Sequence, residues 1–507
     1  MNGLNYISIL DDVEKYRQEC LLQVNEKWAV LLSEVVTRQV SDVNNAERHV
    51  WSALMLLGCS LLSLWYSHRL PARALVLLVT SKGRYRFDSL SKGILRSRFG
   101  EMQILRRRYK RISGKGPLEI SPDDRRIGLA PGRMTLGVHF LVGFLSARMA
   151  FDEMLSVMNH YSVYVPGKRA SLGIVDSLGP QARSYLSSLG PPDDDGEILV
   201  IQVDSKGAPM LRPDEHRKRC RPHKKRPAGT SKRGVRRIKR KENPKPRRKR
   251  GDKSKNARMG NVAVIYTLRR MPDGSLEGPI NRRVISTFSG LGEFRTMLIH
   301  EATQRGYGQK KTIFLADGAT WIWKLQQEHF QSATACLDWY HLLEYIWEAG
   351  ATAHREGSKA LSEWVKERKD ELRTDQIDEV LDALYGLWKR HEENGKTGKK
   401  MKVDAAMDYI LNHIEQLNYR QLLADDIDIA TGAVEGAVKH LIGARLDGQG
   451  MRWSIERAEH VLALRLVVIN QLWNDFERYC EQNLLKMVEL EIPSISPTGT
   501  RRLAHAG

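Results

Sequence analysis

The spacing of apolar residues changes once along the chain. Up to about residue 150, apolar side chains recur mainly at helical spacing, as in residues 24–57 and 134–158, and a basic, strand-like piece at residues 97–117 lies between them. After about residue 190 the apolar runs become short and are bounded by turn residues. This pattern predicts a mainly helical N-terminal region followed by an α/β region.

The α/β region alternates between predicted strands and helices. Strands are predicted at residues 197–204, 261–270 and 281–288, and a Pro-Asp-Gly turn at residues 272–274 closes a hairpin between the last two. A helix, a strand ending at Ala316, a second helix and a further strand-like run follow. The predicted order is β-β-β-α-β-α-β.

Two aspartates come at the ends of predicted strands. Asp204 ends the first strand and Asp317 follows the fourth. Because Gly318 comes next, the local sequence around Asp317 fits an ordinary strand-ending turn as well as a metal ligand. Evidence from other parts of the chain is needed to decide between these two interpretations.

Length and composition are those of a globular protein of two to four domains. The chain has 507 residues, of which 41% are hydrophobic. Its five cysteines are scattered without Cys-x-x-Cys spacing, which argues against a zinc ribbon or a disulfide framework and favours a reducing, cytosolic setting. The N-terminus lacks the order of a signal peptide, and the apolar residues 51–66 are too few for a membrane span. We therefore predict a buried helix there and no membrane partner.

The net charge of +21 is concentrated in one segment. Residues 211–258 contain 23 Lys and Arg against four Asp and Glu, which leaves a net charge of +19 in this segment. Its apolar content is too low for it to fold alone, so we predict a basic arm. Such a charge favours salt-dependent binding to nucleic acid over a merely solvated run, with Arg247, Arg248, Lys249 and Arg250 as candidate contacts.

Four motifs in order carry a family resemblance. They are VDSKGAPM from Val203, ADGATWIW from Ala316, LDWYHLLEYIW from Leu337 and TGAVEGAVKHLIGARLDGQGMRWS from Thr431. Together they resemble the DDE-type insertion-sequence transposases of the ISKra-type group, relatives of the Mutator-like enzymes, over about residues 85–480. The resemblance implies a ribonuclease-H-like core, in which the first and fourth strands lie side by side.

The resemblance also implies a chemistry. Asp204, Asp317 and Glu435 become a catalytic triad that holds two Mg²⁺ or Mn²⁺ ions for cleavage of transposon ends and strand transfer into target DNA. Glu435 lies in the first turn of a helix that Thr431 can cap, so its carboxylate can point to the strand ends. The implied partners are double-stranded DNA and a homodimer or higher oligomer, in the bacterial cytoplasm or nucleoid. No zinc is expected, because this chain lacks the Cys-x-x-Cys pairs of many relatives.

Asp338 and His341 form a second candidate feature. On local grounds the pair fits a strand end followed by a helix-capping turn. Related transposases carry an acid or a cysteine and a histidine at this spacing, so the resemblance implies a role adjacent to the site.

Basic residues on two further segments are candidates for DNA contact. Arg445 and Arg452 flank a glycine-containing loop, and Trp453 either stacks on an unpaired base or packs this loop on the core. The basic strand-like piece either grips the transposon end or is simply an exposed basic strand. Its candidate phosphate contacts are Arg106, Arg107, Arg108, Lys110 and Arg111.

These features predict a domain organisation and a function. The predicted parts are a DNA-binding or oligomerisation region at 1–150, a catalytic core at 190–340 interrupted by the arm at 211–258, a helical insertion domain at 341–430, the Glu435 helix with a closing helix at 431–490, and a flexible tail at 491–507. The predicted function is that of a DDE transposase. Two alternatives stay open: a ribonuclease-H-like nuclease without strand transfer, and a non-catalytic DNA-binding protein derived from a transposase.

Overall fold

The structure, a computed structural model, describes residues 6–37, 42–80, 82–129, 132–161, 164–211, 257–448 and 451–491. Arg247, Arg248, Lys249 and Arg250 of the basic arm lie outside the described residues, as do residues 492–507 of the predicted tail. The chain divides into two compact units: residues 1–185 with 472–507, and residues 186–471. The boundary of the first unit thus falls some way beyond residue 150, and the unit includes a C-terminal segment.

The first unit combines helices with antiparallel sheet. Its helices are α1 (Leu10–Thr37), α2 (Val43–Ser67), α3 (Pro122–Arg126), α4 (Leu136–Arg148), α5 (Phe151–Tyr161) and α6 (Lys168–Ser187). Its strands are β1 (Tyr6–Ser8), β2 (Arg73–Leu75), β3 (Leu77–Thr80), β4 (Gly83–Ser97), β5 (Gly100–Gly114) and β6 (Glu119–Ile120). Within the described residues, β1 pairs with β2, and β3 to β6 form an antiparallel sheet in sequence order.

Acidic side chains neutralise much of the basic strand β5. Arg107 is buried, and its Nε donates to the carboxylate of Asp123 at 3.1 Å. Arg108 donates through Nε to Asp88 at 2.9 Å, and the Nζ of Lys110 lies 2.8 Å from the other oxygen of that carboxylate. These ion pairs give the basic strand a structural role within its own unit.

Helix α2 is buried on one face only. Trp51 and Leu54 stay 53% and 46% exposed, so the prediction of a buried helix was wrong for that side, because α1 and β5 pack against other sides of the helix. Among the described residues, α2 is the one helix that is long and apolar enough to cross a membrane by length and composition, and 33% of its apolar window is buried.

The second unit is α/β, as predicted, and its described residues form a five-stranded mixed sheet. The strands are β7 (Ile198–Pro209), β8 (Ala257–Arg270), β9 (Leu276–Thr287), β10 (Lys311–Ala316) and β11 (Thr334–Leu337), in the order β11-β10-β7-β8-β9. Strand β10 pairs in parallel with β7 and β11, whereas β8 runs antiparallel to β7 and β9. Helices α7 (Leu291–Gln304) and α8 (Thr320–His329) connect β9, β10 and β11 in the predicted order.

Strand β7 extends further than its sequence indicated. Residues 198–203 are all buried, which explains their nearly continuous apolar run in the centre of the sheet. We predicted that the strand ends at Asp204, but it continues to Pro209. The reason is that the longer antiparallel strand β8 keeps pairing, with Ala257 opposite Pro209, after the parallel partner β10 has ended.

Helices follow the sheet to the end of the described chain. They are α9 (Trp339–Gly350), α10 (Lys359–Arg373), α11 (Ile377–Glu393), α12 (Thr397–Asn412), α13 (Tyr419–Ala424), α14 (Gly432–Val438), a short π-helix (Lys439–Gly443), α15 (Ala444–Leu446), α16 (Ile455–Ile469) and α17 (Trp473–Glu491). Leu372, Val380 and Leu384 are fully buried in the helical insertion. The single closing helix that we predicted is two helices, because the chain turns at Gln471, which has a φ of 60°.

Candidate active site

Three aspartates stand side by side on neighbouring parallel strands: Asp317 and Asp338 follow the ends of β10 and β11, and Asp204 lies at the same level within β7. The register of β7, β10 and β11 pairs the residues that immediately precede Asp204, Asp317 and Asp338. The amide nitrogen of Asp338 also donates to the carbonyl oxygen of Ala316, at 2.8 Å. The carboxyl ends of parallel strands are where open α/β sheets commonly bind ligands.

Asp204 carries the most perturbed carboxyl group of this edge. Its Oδ1 accepts from the amide nitrogen of Ser205 at 2.5 Å. Burial raises the pKa of Asp204 to about 6, the negative charges of Asp317 and Glu435 contribute to the rise, and the charge of His341 opposes it. The structure therefore brings the other two predicted triad residues, Asp317 and Glu435, within electrostatic range of Asp204.

Asp317 is at once a turn residue and an available carboxylate. Its Oδ1 accepts from the amide nitrogen of Ala319 at 3.0 Å, which forms the local turn that the sequence indicated. The side chain stays half-buried rather than enclosed. Gly318 is required here, because a Cβ atom at this position would overlap the ring of Tyr409. The turn and ligand interpretations are thus compatible.

Asp338 connects three parts of the site. It is fully buried, and its Oδ2 lies 2.8 Å from the amide nitrogen and 2.7 Å from the Nδ1 of His341. Its Oδ1 accepts from the amide nitrogen and the hydroxyl of Thr431, each at 2.7 Å. Burial alone would raise the pKa of Asp338, but the hydrogen bonds from His341 and Thr431 outweigh it and hold the pKa below its usual range.

His341 places a positive charge beside the aspartates. The hydrogen bond to Asp338 raises the pKa of His341 to about 9, so the imidazole is protonated at neutral pH. Its side chain is 40% exposed, which leaves the ring accessible from solvent. The pair of Asp338 and His341 therefore presents a cation at the edge of the site.

Glu435 reaches the site from the short helix α14. Its side chain is exposed, and its Oε1 lies 3.1 Å from the hydroxyl oxygen of Thr431. Thr431 occupies the N-cap position that we predicted, but its side chain does not cap the helix. Its hydroxyl bonds to Asp338 instead, because that carboxylate lies directly at the helix start.

Gln202 fixes the first turn of α14 from inside the sheet. Its Oε1 accepts from the amide nitrogen of Val434 at 3.0 Å, and its Nε2 donates to the carbonyl oxygen of Ala430 at 3.2 Å. The sequence interpretation missed this residue. The signal was available, because an amide side chain in the apolar run of β7 must find hydrogen-bonding partners when buried.

Among the described residues, one set of three side chains has its ligand atoms close enough together to hold a cation, and it shares Glu435 with the predicted triad. Among the described residues, Asp338, His341 and Glu435 each offer a ligand atom within 4.8 Å of the others. The oxygens of Asp338 are already hydrogen-bonded and His341 is protonated, so a metal on this set would have to displace protons and bonds. The carboxylates of Asp204, Asp317 and Glu435 offer the oxygen ligands that Mg²⁺ prefers.

The other three residues that we predicted to contact DNA, Arg445, Arg452 and Trp453, differ in their burial. Arg445 and Trp453 are buried, and the guanidinium carbon lies 4.9 Å from the ring centroid. The Nε1 of Trp453 donates to the carbonyl oxygen of Leu446 at 3.0 Å. This favours the packing alternative for Trp453 and gives Arg445 a partner inside the protein. Arg452 is exposed.

Comparisons with known proteins give one group of relatives. No family model matches the chain. Three UPF0236 proteins of Caldanaerobacter subterraneus subsp. tengcongensis are each 29% identical to it over 160 residues, which is 31% of this chain and 31%, 30% and 29% of theirs. The chain therefore matches about a third of the length of these curated relatives, whose names state no activity.

Proposed function

We propose that this protein is a DNA transposase of the DDE type, and that its second unit is a ribonuclease-H-like core with Asp204, Asp317 and Glu435 as the acidic triad. The observation that carries the proposal is the register of the sheet, which aligns Asp204 and Asp317 on the adjacent parallel strands β7 and β10. The position of Glu435 at the start of α14 supports it, since this carboxylate acts electrostatically on Asp204.

The proposal implies two divalent cations, Mg²⁺ or Mn²⁺, and the donor set fits them. Burial raises the pKa of Asp204, and the negative charges of Asp317 and Glu435 add to the rise, so a bound cation would offset the repulsion among these carboxylates. When bound, such ions activate an attacking oxygen and stabilise a leaving oxygen in phosphoryl transfer. Asp204 would bind them from within β7, Asp317 from the end of β10, and Glu435 from the helix.

Other residues of the chain act around this triad. The imidazolium of His341 is available to donate to a phosphate oxygen of the bound DNA. Asp338 and Gln202 position the start of α14 and hence Glu435. They are positioning residues, because their side chains bond to protein groups.

The attachment of the basic arm supports a nucleic-acid substrate. The arm leaves β7 after Leu211 and returns at β8, where Ala257 pairs with Pro209. Both attachment points lie beyond Asp204 along β7, at the same end of the sheet as the aspartates. A segment with a net charge of +19 therefore joins the fold beside the acidic edge, where it would bind the phosphates of DNA.

Cleavage of the DNA that flanks the gene tests the proposal. We expect Mg²⁺-dependent cleavage by the wild type and a loss of at least about 100-fold in Asp317→Asn, because a ligand is removed. Asp273→Asn is the matched control, since Asp273 makes the same kind of turn contact with Ser275 in a hairpin outside the site. Equal cleavage by wild type and Asp317→Asn contradicts the proposal.

A second assay separates the two alternatives. Pre-cut terminal DNA is offered to the wild type together with a target plasmid. Strand transfer is expected for a transposase, whereas cleavage without transfer indicates a nuclease. Binding of DNA with neither activity, and without any difference between wild type and Asp317→Asn, indicates a non-catalytic protein.

A further inference from the structure

Helices α1 and α2 pack as an antiparallel hairpin. Arg17 near the start of α1 donates through Nε to the carbonyl oxygen of Ser67 and through Nη2 to that of Leu70, both at 3.2 Å, so the start of α1 lies beside the end of α2. Among the exposed large apolar side chains of the hairpin, six that are between 44% and 53% exposed lie at helix-packing intervals. They are Leu21, Trp28, Leu32, Trp51, Leu54 and Leu61, and we refer to them as the seam residues.

The spacing of the seam residues is that of a helix-packing surface. On α1 they are seven and four positions apart, and on α2 three and seven positions apart. Intervals of three, four and seven place side chains along the stripe by which one helix packs into the grooves of another. Leu10 and Trp65, which are 47% and 44% exposed, extend the two stripes, whereas the exposed Leu22, Val30 and Leu56 lie on other faces of the helices.

Both stripes face the same side of the hairpin. In the half of the hairpin where α1 ends and α2 begins, the less exposed positions are Val24 and Leu31 on α1 and Ala46 and Ala53 on α2. These positions mark the strip along which the two helices face each other. At 3.6 residues per turn, the seam residues of each helix lie about a quarter turn around the helix axis from this strip. Followed along the chain, the direction of this rotation is the same on both helices. Because the helices are antiparallel, equal rotations bring both seams to one face.

The charge of the hairpin selects the kind of partner. Helix α1 contains six acidic and three basic residues, a net charge of −3, in a chain whose net charge is +21. A net negative helix is unfavourable against DNA phosphates and against an anionic membrane surface. The partner is therefore a protein with a matching apolar stripe, and a second copy avoids like-charge repulsion when α1 packs against the partner copy's α2, which contains one acidic and one basic residue.

The exposed apolar area of the seam residues is large enough to form the centre of a subunit contact. A half-exposed large apolar side chain presents roughly 80 Å², so the six seam residues alone offer roughly 500 Å² of the approximately 800 Å² that each side of a standard interface buries. A twofold axis would place each seam against a copy of the same surface and form a four-helix bundle. We propose that the hairpin binds the hairpin of a second copy of this chain, with the seam residues in the core of the bundle.

Light scattering during gel filtration of the full chain tests this proposal. In salt high enough to detach nucleic acid, the wild type is expected at twice the 57.9 kDa chain mass. Trp28→Glu combined with Leu54→Glu is expected at the mass of one chain, with self-association at least about 100-fold weaker. The control is Leu118→Glu, a 71% exposed apolar position of the same unit outside the hairpin, which is expected to remain a dimer.

Further measurements keep the outcome decisive. Circular dichroism confirms that the double variant is folded, and the milder pair Trp28→Ser and Leu54→Ser replaces it if it is not. A wild type that stays monomeric at about 50 μM, well above the dissociation constant expected for a standard interface, overturns the proposal. So does a double variant that remains dimeric. Seam-dependent binding of a monomeric wild type to phosphatidylcholine vesicles overturns it in favour of a lipid surface. The result does not depend on DNA cleavage, so it stands or fails separately from the proposed function.

Discussion

Asp338 and Thr431 are joined by two hydrogen bonds across 93 positions of sequence, from the amide nitrogen and the hydroxyl of Thr431 to one carboxylate oxygen, each at 2.7 Å. The contact ties the end of β11 to the start of α14. The position of Glu435 thus depends on a buried residue outside the predicted triad.

Replacing Asp338 should affect both stability and activity. In Asp338→Ala the amide of Thr431 and the imidazolium of His341 lose their buried partner, so we expect unfolding to become easier by about 3 kcal/mol. We also expect cleavage by the folded fraction to fall. Chemical unfolding and DNA cleavage measure the two effects. The control is Asp428→Ala, because Asp428 is exposed and, among the residues that the structure describes, accepts one hydrogen bond, from the amide of Ala430 at 3.1 Å. Equal losses in both variants contradict the prediction.

Gln202→Leu tests the link between β7 and α14. The substitution keeps a side chain of similar size but removes both contacts to the first turn of the helix, and we expect a destabilisation of about 1–3 kcal/mol together with reduced cleavage. Gln326→Leu is matched in burial and loses one bond, to the carbonyl oxygen of Phe330. The Gln326→Leu variant should be less stable than the wild type, yet its folded fraction should cleave DNA at the wild-type rate. A normal rate in folded Gln202→Leu would disprove the positioning role.

Asp204→Asn should abolish the stabilisation of the protein by metal ions. The wild type is expected to melt at a higher temperature with Mn²⁺ or Mg²⁺ than without, whereas the variant is expected to show no rise. Calorimetry with and without EDTA measures the difference. Asp273→Asn serves as the control and should respond like the wild type, since Asp273 lies in the β8–β9 turn.

The pH dependence of Asp204 has a defined sign. Because the pKa is about 6 in the folded protein and 3.8 in the reference state, the metal-free fold loses stability as pH rises from about 4 to about 6. Without metal, Asp204→Asn should therefore be more stable than the wild type at pH 7, and this advantage should shrink toward pH 4. Protons compete with the metal, so its apparent affinity should fall by up to about tenfold for each pH unit below about 6. A wild type whose metal affinity is constant from pH 5 to 7 would refute this assignment.

Two adjacent aspartates allow a comparison of buried and exposed ion pairs. Asp195 holds the fully buried guanidinium of Arg305 through two bonds, at 2.6 and 3.0 Å, whereas Asp194 pairs with Arg269 at the surface. Asp195→Ala leaves a buried charge without its carboxylate and should cost about 3–5 kcal/mol. Asp194→Ala should cost less than about 1 kcal/mol. Similar unfolding midpoints for the two variants would contradict this.

The same buried pair predicts a response to acid. Burial opposes ionisation of Asp195, but the hydrogen bonds from Arg305 and Thr267 hold its pKa at about 2. Its stabilising contribution is therefore complete above pH 4 and is lost as pH falls toward 2. Acid unfolding of wild type and Asp195→Ala should converge across this range.

The sequence by itself determined the local elements and their order. Apolar runs between turn residues gave the strands of the mixed sheet, because alternating or continuous apolar patterns depend on backbone geometry within a few residues. The position of Asp317 at a Gly turn and the concentration of charge in one segment were equally local. These observations sufficed to predict the α/β class, and the resemblance carried by four sequence motifs nominated Asp204, Asp317, Glu435, Asp338 and His341.

Only the tertiary structure decided which of these residues meet and what surrounds them. The register of β7 and β10 aligns Asp204 with Asp317, and partners 93 and 232 positions apart fix Asp338 and Gln202 to the start of α14. Burial of Arg445 against Trp453 and the exposed face of α2 likewise depend on contacts between distant segments. Sequence spacing carries no direct record of such contacts, because hydrogen bonding and burial are set by which surfaces the fold brings together.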